Sequence, residues 1–483
     1  MTITVEFDFD KSEFTNFTEL ERKIWRFVLE IGRVLLRKIL EAWDEELLNS
    51  REKSRYANKG KRRTCLKTLV GDVEYERTVY VDKGVEGRNA CVFLLDEALG
   101  IETVGLVTPA VCEVIANTIC ETTYRETSRM LKETTGLSIS PQGVWNIVQD
   151  LGETRREQVG RYSDLRRERR STGMISTKLL YEEDDGIWLS LQGRDRKEYG
   201  PGKELKVGIA YDGVLWSGGK NGKARRTLHN KVAYTSFESA EEYREHKEGL
   251  IASRFDVEGI QMRIRNGDGA GWLRGFRNAD VNVLDEFHRN KAVTTSVRNP
   301  EFRTELMKRL HGKDIPGVFE YLEAMINSED DPDAVKNYID LQDYFMNNKD
   351  GLLGVYDRGL DIPKTSQPGT IHHARLGSME SNVFTLVGNR MKGRRANWSV
   401  KGAANLANLL CLYHTTGLSG MFTGLSEPLS ETVPVMERKP LSASAVPTKT
   451  GKGHECWRRT TVPNVPWLKS ITGFQSLTDL RLS

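Results

Sequence analysis

Between residues 176 and 288 the sequence changes from helical periodicity to short apolar stretches, and this change restricts the fold more than any other feature. Five of these stretches have the length and composition of β-strands, and a helical stretch at 239–252 separates the third from the fourth. The strand candidates are 179–191, 206–211, 231–235, 262–264 and 281–284. Strands that alternate with helices in this order predict an α/β domain with a mixed sheet.

Helical periodicity flanks the strand-rich region on both sides. A hairpin is predicted at 68–80, where Gly71 and Asp72 lie between two β-rich runs. With about 150 residues per domain, a chain of 483 residues is expected to form about three domains. The helical stretches lie at 16–50, 103–150, 302–310, 318–327, 333–347 and 378–416, with a loop region at 351–377.

Composition excludes several classes of protein. Hydrophobic residues make up 38% and charged residues 29%, which argues against a membrane protein and against a disordered chain. No apolar run approaches the ~20 residues of a membrane span, and the acidic amino terminus is unlike a signal peptide. The six cysteines are scattered without a Cys-x-x-Cys pair. We therefore expect a cytoplasmic protein with reduced thiols.

Basic residues are concentrated in three clusters, although the net charge is only +3. Separate basic patches in a near-neutral chain favour a polyanionic partner, of which nucleic acid is the commonest. Solvated helix faces are the alternative for any single cluster. The clusters are Arg51, Lys53, Arg55, Lys59, Lys61, Arg62, Arg63 and Lys67; Arg155, Arg156, Arg161, Arg166, Arg167, Arg169 and Arg170; and Arg390, Lys392, Arg394, Arg395 and Lys401.

A second indication of DNA binding comes from residues 103–150. A short helix at 124–134 includes Arg129, Gly136 ends it, and Ser140 before Pro141 is a typical start for the next helix. This is the outline of a helix-turn-helix. Simple helical packing is the alternative, because the second helix has no Lys or Arg before Arg155.

Three acidic residues occupy related positions in the predicted elements. Asp185 lies within the first strand candidate, Asp268 directly follows the fourth, and Glu380 begins the helix that follows the loop region. Individually each has a structural explanation, since Asp-Gly favours turns and the helix dipole favours glutamate in a first turn. Together they are what a site for two Mg²⁺ ions about 3.5–4 Å apart requires on an RNase H-like sheet, and such a site catalyses phosphoryl transfer.

Several short stretches, taken as a set, resemble one known family. They are 68–73 with Tyr80, 183–186, 266–269, 284–288, Glu380 and 390–399. The chain resembles the ISLre-two family of bacterial insertion-sequence transposases, whose catalytic domain is similar to that of Mutator-type transposases. The resemblance extends from the first amphipathic helix to about residue 416.

The resemblance implies a DDE transposase in which Asp185, Asp268 and Glu380 bind two Mg²⁺ or Mn²⁺ ions. The long gap between Asp268 and Glu380 would then hold a helical insertion, as in Mutator-like relatives. Asp285 and His288 match a secondary motif of such relatives, so His288 would contact a DNA phosphate or help to order the site. A purely structural histidine is the alternative.

The resemblance also implies partners and a place in the cell. The partners would be the terminal repeats of the element and a target DNA, bound by a homo-oligomer that associates with the bacterial nucleoid. The expected DNA contacts are Arg62, Arg63, Arg129, Arg155, Arg156, His288, Arg390, Lys392, Arg394 and Arg395. Trp398 could stack on a base, although packing against the sheet is the better explanation.

These observations predict a multidomain α and α/β protein with seven segments. They are 1–60, an amphipathic helix and basic linker; 61–102, a β-hairpin region; 103–175, a helix-turn-helix-like region; 176–288, the first part of an RNase H-like core; 289–376, an all-α insertion; 377–424, the C-terminal helices of the core; and 425–483, a Pro-rich extended tail. An RNase H-fold nuclease without strand transfer and a transposase-derived DNA-binding regulator are the alternative functions.

Overall fold

The structure, a computed structural model, describes residues 15–84, 90–99, 107–217, 225–273, 279–371, 375–393 and 396–423. The chain divides into two compact units, one of Met1–Asp150 with Leu418–Ser483 and the other of Leu151–Gly417. Within the described ranges, no helix has both the length and the apolar character that crossing a membrane requires. The expected Pro-rich tail at 425–483 lies outside the described residues.

Helices and strands are distributed along the chain as the sequence pattern indicates, with an α/β part in the second unit. The strands are β1 (Tyr56–Thr68), β2 (Gly71–Asp82), β3 (Ala90–Val92), β4 (Leu179–Ser190), β5 (Gly202–Tyr211), β6 (Gly213–Ser217), β7 (Arg225–His229), β8 (Val232–Ser236), β9 (Met262–Gly267) and β10 (Val281–Leu284). The helices are α1 (Phe17–Ser50), α2 (Leu94–Leu99), α3 (Pro109–Glu121), α4 (Tyr124–Thr135), α5 (Pro141–Arg167), α6 (Gly193–Tyr199), α7 (Ala240–Ala252), α8 (Glu286–Ser296), α9 (Pro300–His311), α10 (Ile315–Ser328), α11 (Pro332–Asn347), α12 (Met379–Val383), α13 (Asn389–Met391), α14 (Val400–Tyr413) and α15 (Gly420–Thr423). A π-helical segment, Phe384–Gly388, joins α12 to α13.

In the first unit, α1 packs against the hairpin of β1 and β2. Leu40 of α1 is buried with Leu66, Val73 and Tyr75 of the hairpin. The buried Asp44 adds a polar contact, because its carboxylate accepts hydrogen bonds from the backbone N–H and the hydroxyl of Thr78, at 2.9 and 2.7 Å. Apolar burial and this bonded carboxylate together fix the helix on the sheet.

The predicted hairpin is present, but its turn lies elsewhere than expected. Thr68 pairs with Gly71, so the turn consists of Leu69 and Val70 rather than of Gly71 and Asp72. The Thr68 hydroxyl donates to the Gly71 carbonyl and accepts from the Val70 N–H, and Gly71 has a φ of 107°, which favours glycine. The expected basic linker ends early, because β1 begins at Tyr56 and contains most of the basic run.

The two helices of the expected helix-turn-helix are confirmed as helices. Gly136 ends α4 in the left-handed conformation, with a φ of 71°, and the Ser140 hydroxyl accepts a hydrogen bond from the Gly143 N–H at the start of α5. The second helix continues to Arg167, well beyond residue 150, where the predicted helical stretch ends. Whether this pair binds DNA stays a prediction.

The second unit contains a five-stranded mixed sheet with the order β10-β9-β4-β5-β8. The pairs β4–β5 and β5–β8 are antiparallel, whereas β4–β9 and β9–β10 are parallel. All five strands were predicted. The separate hairpin of β6 and β7 was not, because the polar sequence of β7 gives no apolar alternation.

Helices cover both faces of this sheet. On one face, Tyr243 of α7 packs with Tyr234 of β8. On the other, Asn408 of α14 donates a hydrogen bond to the carbonyl of Thr235, and α12 lies against β4 and β5. Tyr234 and Thr235 are consecutive in β8 and so point to opposite faces. The result is a three-layer arrangement of helix, sheet and helix.

The segment between β10 and α12 is the expected helical insertion. Its helices α9, α10 and α11 coincide with the predicted stretches to within a few residues. Val293, Leu306, Leu322 and Phe345 belong to one buried cluster that also includes Leu284 at the end of β10. This segment therefore has a hydrophobic core of its own, and it contacts the sheet through Leu284 and through hydrogen bonds such as that from Arg358 to the Asn282 carbonyl of β10.

The expected continuous helix at 378–416 is interrupted. Helical structure stops after Met391 and begins again at Val400. Between them the Trp398 N–H donates to the Ser190 carbonyl at 3.0 Å, and its indole N–H donates to the Met391 carbonyl at 2.8 Å. Trp398 is 8% exposed, so its packing role is confirmed.

We predict that Asp44→Ala lowers the free energy of unfolding by about 2 kcal/mol, because it leaves the buried N–H of Thr78 without an acceptor. Glu45→Ala is the matched control: Glu45 is exposed and pairs with Lys61 at 3.2 Å, so its removal should cost less than about 1 kcal/mol. Urea unfolding of both variants measures the difference. Equal losses would show that the Asp44 contact does not hold α1 on the hairpin.

Candidate active site

The central strand β4 presents different acidic residues to the two faces of the sheet. Successive side chains of a strand point to opposite faces. Glu182 and Asp184 therefore face α7, whereas Glu183 and Asp185 face α12. All four are buried, with exposed fractions between 0 and 7%. Asp184 and Asp185, although adjacent in the sequence, therefore have different surroundings.

On the α7 face, the acids of β4 form a buried ion cluster. The Lys247 ammonium lies 2.7 Å from an Asp184 oxygen and 2.9 Å from a Glu182 oxygen. Burial alone would raise the pKa of Glu182, but Lys247, Arg265 and Arg263 hold it at about 2. Each charge of this cluster has a partner, which indicates a structural role.

Gly208 makes room for this cluster. It pairs with Asp184 across β4 and β5, and a Cβ at this position would lie 2.1 Å from the Tyr243 hydroxyl oxygen and 2.3 Å from an Asp184 oxygen. The Tyr243 hydroxyl donates to Asp184 at 2.8 Å. A larger residue here would therefore separate α7 from the sheet.

On the α12 face, Asp185, His288 and Glu380 come together. One possible ligand atom of each lies within 4.8 Å of the others. The His288 Nε2 is 3.9 Å from an Asp185 oxygen, and Glu380, in the first turn of α12, is exposed. Two of the three predicted acids are thus neighbours, although 195 positions separate them in the sequence.

Asp268, the third predicted acid, follows β9 and interacts electrostatically with this group without belonging to it. Its carboxylate accepts a hydrogen bond from the Ala270 N–H at 2.8 Å. Burial raises the pKa of the Asp185 carboxyl to about 6; His288 and the Gly186 N–H oppose this rise, whereas Asp268 and Glu380 add to it. Burial also raises the pKa of Asp268. Asp268 and Glu380 thus disfavour the ionised form of Asp185, and a cation bound among these carboxylates would favour it.

A chain of hydrogen bonds orients His288. Asp285 caps the N-terminus of α8, and one of its oxygens lies 3.2 Å from His288 Nδ1. The other oxygen accepts from the Asn266 amide at 2.8 Å. The hydrogen bond to Asp285 raises the pKa of His288. With Nδ1 held in this way, Nε2 is the nitrogen that faces Asp185.

The buried Glu183 connects β4 to the start of α12. One carboxylate oxygen accepts from the backbone N–H groups of Gly377 and Ser378, at 3.0 and 2.9 Å, and from the Asn266 amide at 3.1 Å. The other accepts from the Tyr211 hydroxyl at 2.7 Å. Because Glu380 follows Ser378 by two residues, Glu183 fixes the position of Glu380 relative to Asp185.

Glu183 and Asn266 were not among the predicted site residues. One feature of the sequence could have identified Glu183: it precedes Asp185 by two residues in a predicted strand, so both side chains are expected on the same face. Nothing in the sequence indicated its partners in 377–378. Three glutamates in or before the helical insertion are the sequence alternatives to Glu380 as the third acid. Glu286 at the start of α8 and Glu320 and Glu323 on α10 are all exposed.

In the first unit, three of the predicted DNA contacts lie on the surface. Arg62 and Arg63 are exposed on β1, and Arg63 pairs with Glu74. Arg129 is exposed on α4 and pairs with Glu126 and Glu133. Exposed pairs of this kind contribute little to stability, so a phosphate could replace the carboxylate.

In the second unit, the predicted basic contacts differ in exposure. Arg155 is 8% exposed and donates to Gln158, so little of it is open to DNA, and Arg156 pairs with Glu238 at 3.4 Å. Arg390 lies 5.6 Å from the centre of the Trp398 ring, and Lys392 is exposed. Arg394 and Arg395 lie outside the described residues.

The sequence of the chain is similar to that of one protein family over most of its length. The uncharacterised protein family UPF0236 matches residues 11–421. One relative, the UPF0236 protein TTE2489 of Caldanaerobacter subterraneus subsp. tengcongensis, is 26% identical over 82% of this chain and 78% of its own length. Another from the same organism, whose name joins eleven locus designations from TTE0033 to TTE2212, is 25% identical over 82% of this chain and 77% of its own. The UPF0236 protein in vanSb 3'region of Streptococcus gallolyticus is 22% identical over 87% of both chains.

We predict that Glu183→Ala lowers the free energy of unfolding by about 3 kcal/mol, because it leaves several buried donors without an acceptor. Glu183→Gln is the matched control, since its amide oxygen can still accept from 377–378 while its NH₂ group donates to the Tyr211 oxygen; it should lose about 1 kcal/mol. Urea unfolding measures both. A Gln variant as unstable as the Ala variant would show that the charge of Glu183, rather than its acceptor oxygen, is needed.

Proposed function

We propose that this chain, which belongs to the uncharacterised protein family UPF0236, is a DNA transposase. Its active site, which would cleave and join DNA, would contain the carboxylates of Asp185, Asp268 and Glu380. The observation that carries the proposal is the convergence of Asp185, Glu380 and His288 within 4.8 Å, with the charge of Asp268 acting on Asp185. Acidic side chains gathered on one face of a sheet, close enough to share a cation, are what metal-dependent phosphoryl transfer requires.

The strand order supports an RNase H-like interpretation of the catalytic domain. The strands β4, β5 and β8 are antiparallel to their neighbours in that set, and β9 and β10 run parallel to β4 on its other side. The central strand β4 therefore lies between β5 and β9. In this arrangement Asp185 on β4 and Asp268 after β9 lie on neighbouring strands, as the DDE interpretation requires. The insertion between β10 and α12 agrees with the interrupted form of the fold in Mutator-type transposases.

The donor atoms fit divalent cations. Carboxylate oxygens are the ligands that Mg²⁺ and Mn²⁺ prefer, and the nearby imidazole of His288 is acceptable to Mn²⁺. The pKa of Asp185 is raised mainly by burial and further by the charges of Asp268 and Glu380, and a bound cation would oppose both effects. When bound, the metal would supply Lewis-acid stabilisation of the charge that develops on phosphate oxygens.

The side chains of the chain itself would then hold and orient the reacting groups. Asp185, Asp268 and Glu380 would bind the cations, while Glu183 keeps α12 in place through Gly377 and Ser378. His288, held at Nδ1 by Asp285, directs Nε2 towards Asp185 and could donate a hydrogen bond there or to a DNA phosphate. The exposed Arg62, Arg63 and Arg129 would contact the terminal repeats.

The name of one relative also supports the proposal that the family is mobile. That name joins eleven locus designations of a single organism. Repeated transposition would place copies of one gene at many loci of a genome. The two alternative functions are a nuclease that cuts without joining and a DNA-binding regulator. A regulator would have no need of the acidic group, so its presence favours the enzymes.

We predict that Asp185→Asn and Glu380→Gln each reduce Mg²⁺-dependent cleavage of the element's terminal DNA by at least about 100-fold, with DNA binding retained, because each removes one negative charge from the cation site. Glu323→Gln, an exposed change in the insertion, is the control and should cleave normally. Mn²⁺ should raise the melting temperature of the unaltered chain more than that of either variant. Normal cleavage by Asp185→Asn would contradict the proposed site.

Strand transfer separates the transposase from the nuclease. DNA with a labelled 3′-hydroxyl end is incubated with the unaltered chain, Mg²⁺ and a target plasmid. Transfer of the label to the plasmid is expected. Cleavage without transfer under every condition would favour the nuclease, and binding without cleavage would favour the regulator.

A further inference from the structure

The second unit contains a cavity of about 900 Å³ beside α12. Its wall is polar and basic, and among the described residues that line it no side chain is a carboxylate. The lining includes Arg226, Lys231, Arg254, Ser381, Asn382 and Thr385.

The cavity and the acidic group lie on different faces of the same helix. Ser378, Ser381, Asn382 and Thr385 follow one another at intervals of three, one and three residues, so they share one side of α12 and the π-helical segment. Glu380 is displaced by about 100–200° around the helix from these residues. The helix that presents Glu380 to Asp185 thus presents hydroxyl and amide groups to the cavity.

Cations dominate the electrostatics of the cavity. Lys231 is partly buried, its ammonium donates to the Asn382 side-chain oxygen at 3.1 Å, and burial lowers its pKa. The Nε of Arg254 is buried and has no hydrogen-bond partner among the described residues. Arg226 donates to the backbone carbonyl of Arg375 and adds a third positive charge. Such a group of donors favours an anion, because a counter-charge offsets the cost of bringing cations close together and partly burying them.

The lining also limits which part of a ligand it can contact. The described residues of the lining contribute hydroxyl groups, amides and cations but no Trp, Tyr or Phe, and the imidazole of His414 is their one aromatic ring. A volume of 900 Å³ is much larger than one phosphate ion and suits a segment of several linked groups. Phosphate and sugar, rather than base, match this surface.

We propose that this cavity binds the phosphodiester backbone of the DNA whose reacting phosphate lies at Asp185 and Glu380. The inference rests on the proposed function and extends it to a second contact site. An α-helix with its side chains is about 10–12 Å across, and the rise per nucleotide is about 3.4 Å, so a strand crossing α12 would place the phosphate roughly three nucleotides away at the cavity. The contact is independent of sequence because it reads no base.

The test is the salt dependence of DNA binding by the full chain. A fluorescein-labelled duplex of arbitrary sequence is titrated with Lys231→Gln/Arg254→Gln at several salt concentrations. The plot of log K against log salt has a negative slope, and each lost phosphate contact reduces its steepness by about 0.9. The slope of the double variant should therefore be shallower by about 1.8 than that of the unaltered chain. Lys308→Gln/Lys336→Gln, which removes two exposed charges from the insertion, is the control for net charge and should change the slope by less than half as much.

The single variant Arg254→Gln guards against misfolding, since it leaves the bond between Lys231 and α12 intact; it should lose about half of the effect. An unchanged slope in a variant that melts like the unaltered chain would overturn the cavity assignment and leave the proposed function standing. Absence of any DNA binding by the unaltered chain would overturn both. If inorganic phosphate stabilises the unaltered chain but not the variants, and the DNA slope is unchanged, the cavity serves a small anion and the DNA assignment is wrong.

Discussion

The candidate site depends on one buried carboxylate, that of Glu183. It accepts four hydrogen bonds, two of them from the backbone that leads into α12. A buried carboxylate without donors would be very costly, so these groups have to stay in place as long as the second unit is folded. The consequence is that a strand in the middle of the sheet and a helix far along the chain are joined at a fixed distance. Asp185 and Glu380 are neighbours for that reason.

The same strand separates structure from chemistry by its alternation. On one face Asp184 is paired with Lys247, and its charge is balanced. On the other face the Nε2 of His288 lies 3.9 Å from an Asp185 oxygen, and burial raises the pKa of Asp185 to about 6. Replacing Asp184 would therefore disturb the fold, because its charge is paired with Lys247. Replacing Asp185 would disturb the group that it forms with His288 and Glu380. A difference this large between neighbours follows directly from the pleat of the strand.

Much of the second unit could be predicted because it depends on local patterns. Apolar runs of strand length gave all five strands of the sheet, and helical periodicity gave α9 to α11. The positions of Asp185 and Glu380 followed from their places in those elements. What could not be predicted depends on contacts between distant residues. The partners of Glu183, the interruption at Trp398 and the burial of Arg155 each arise from packing that no window of sequence contains. The hairpin turn was misplaced for a smaller reason, since the Thr68 hydroxyl stabilises Leu69 and Val70 in a turn that their composition does not favour.

The self-contained core of the insertion affects how this chain can diverge from its relatives. Val293, Leu322 and Phe345 are buried against one another, and among the buried residues of their cluster Leu284 is the one that belongs to the sheet. Lengthening or shortening α9 and α10 would leave the acidic residues in place, because Glu183 sets the return of the chain at 377–378 and the Tyr344 hydroxyl of α11 donates to the Asp268 carbonyl. The number of residues between the second and third acids is therefore free to drift in evolution. An alignment of distant relatives should therefore look for an acidic residue two positions before the aspartate that matches Asp185, as Glu183 is here. It should not assume a constant number of residues between the positions of Asp268 and Glu380.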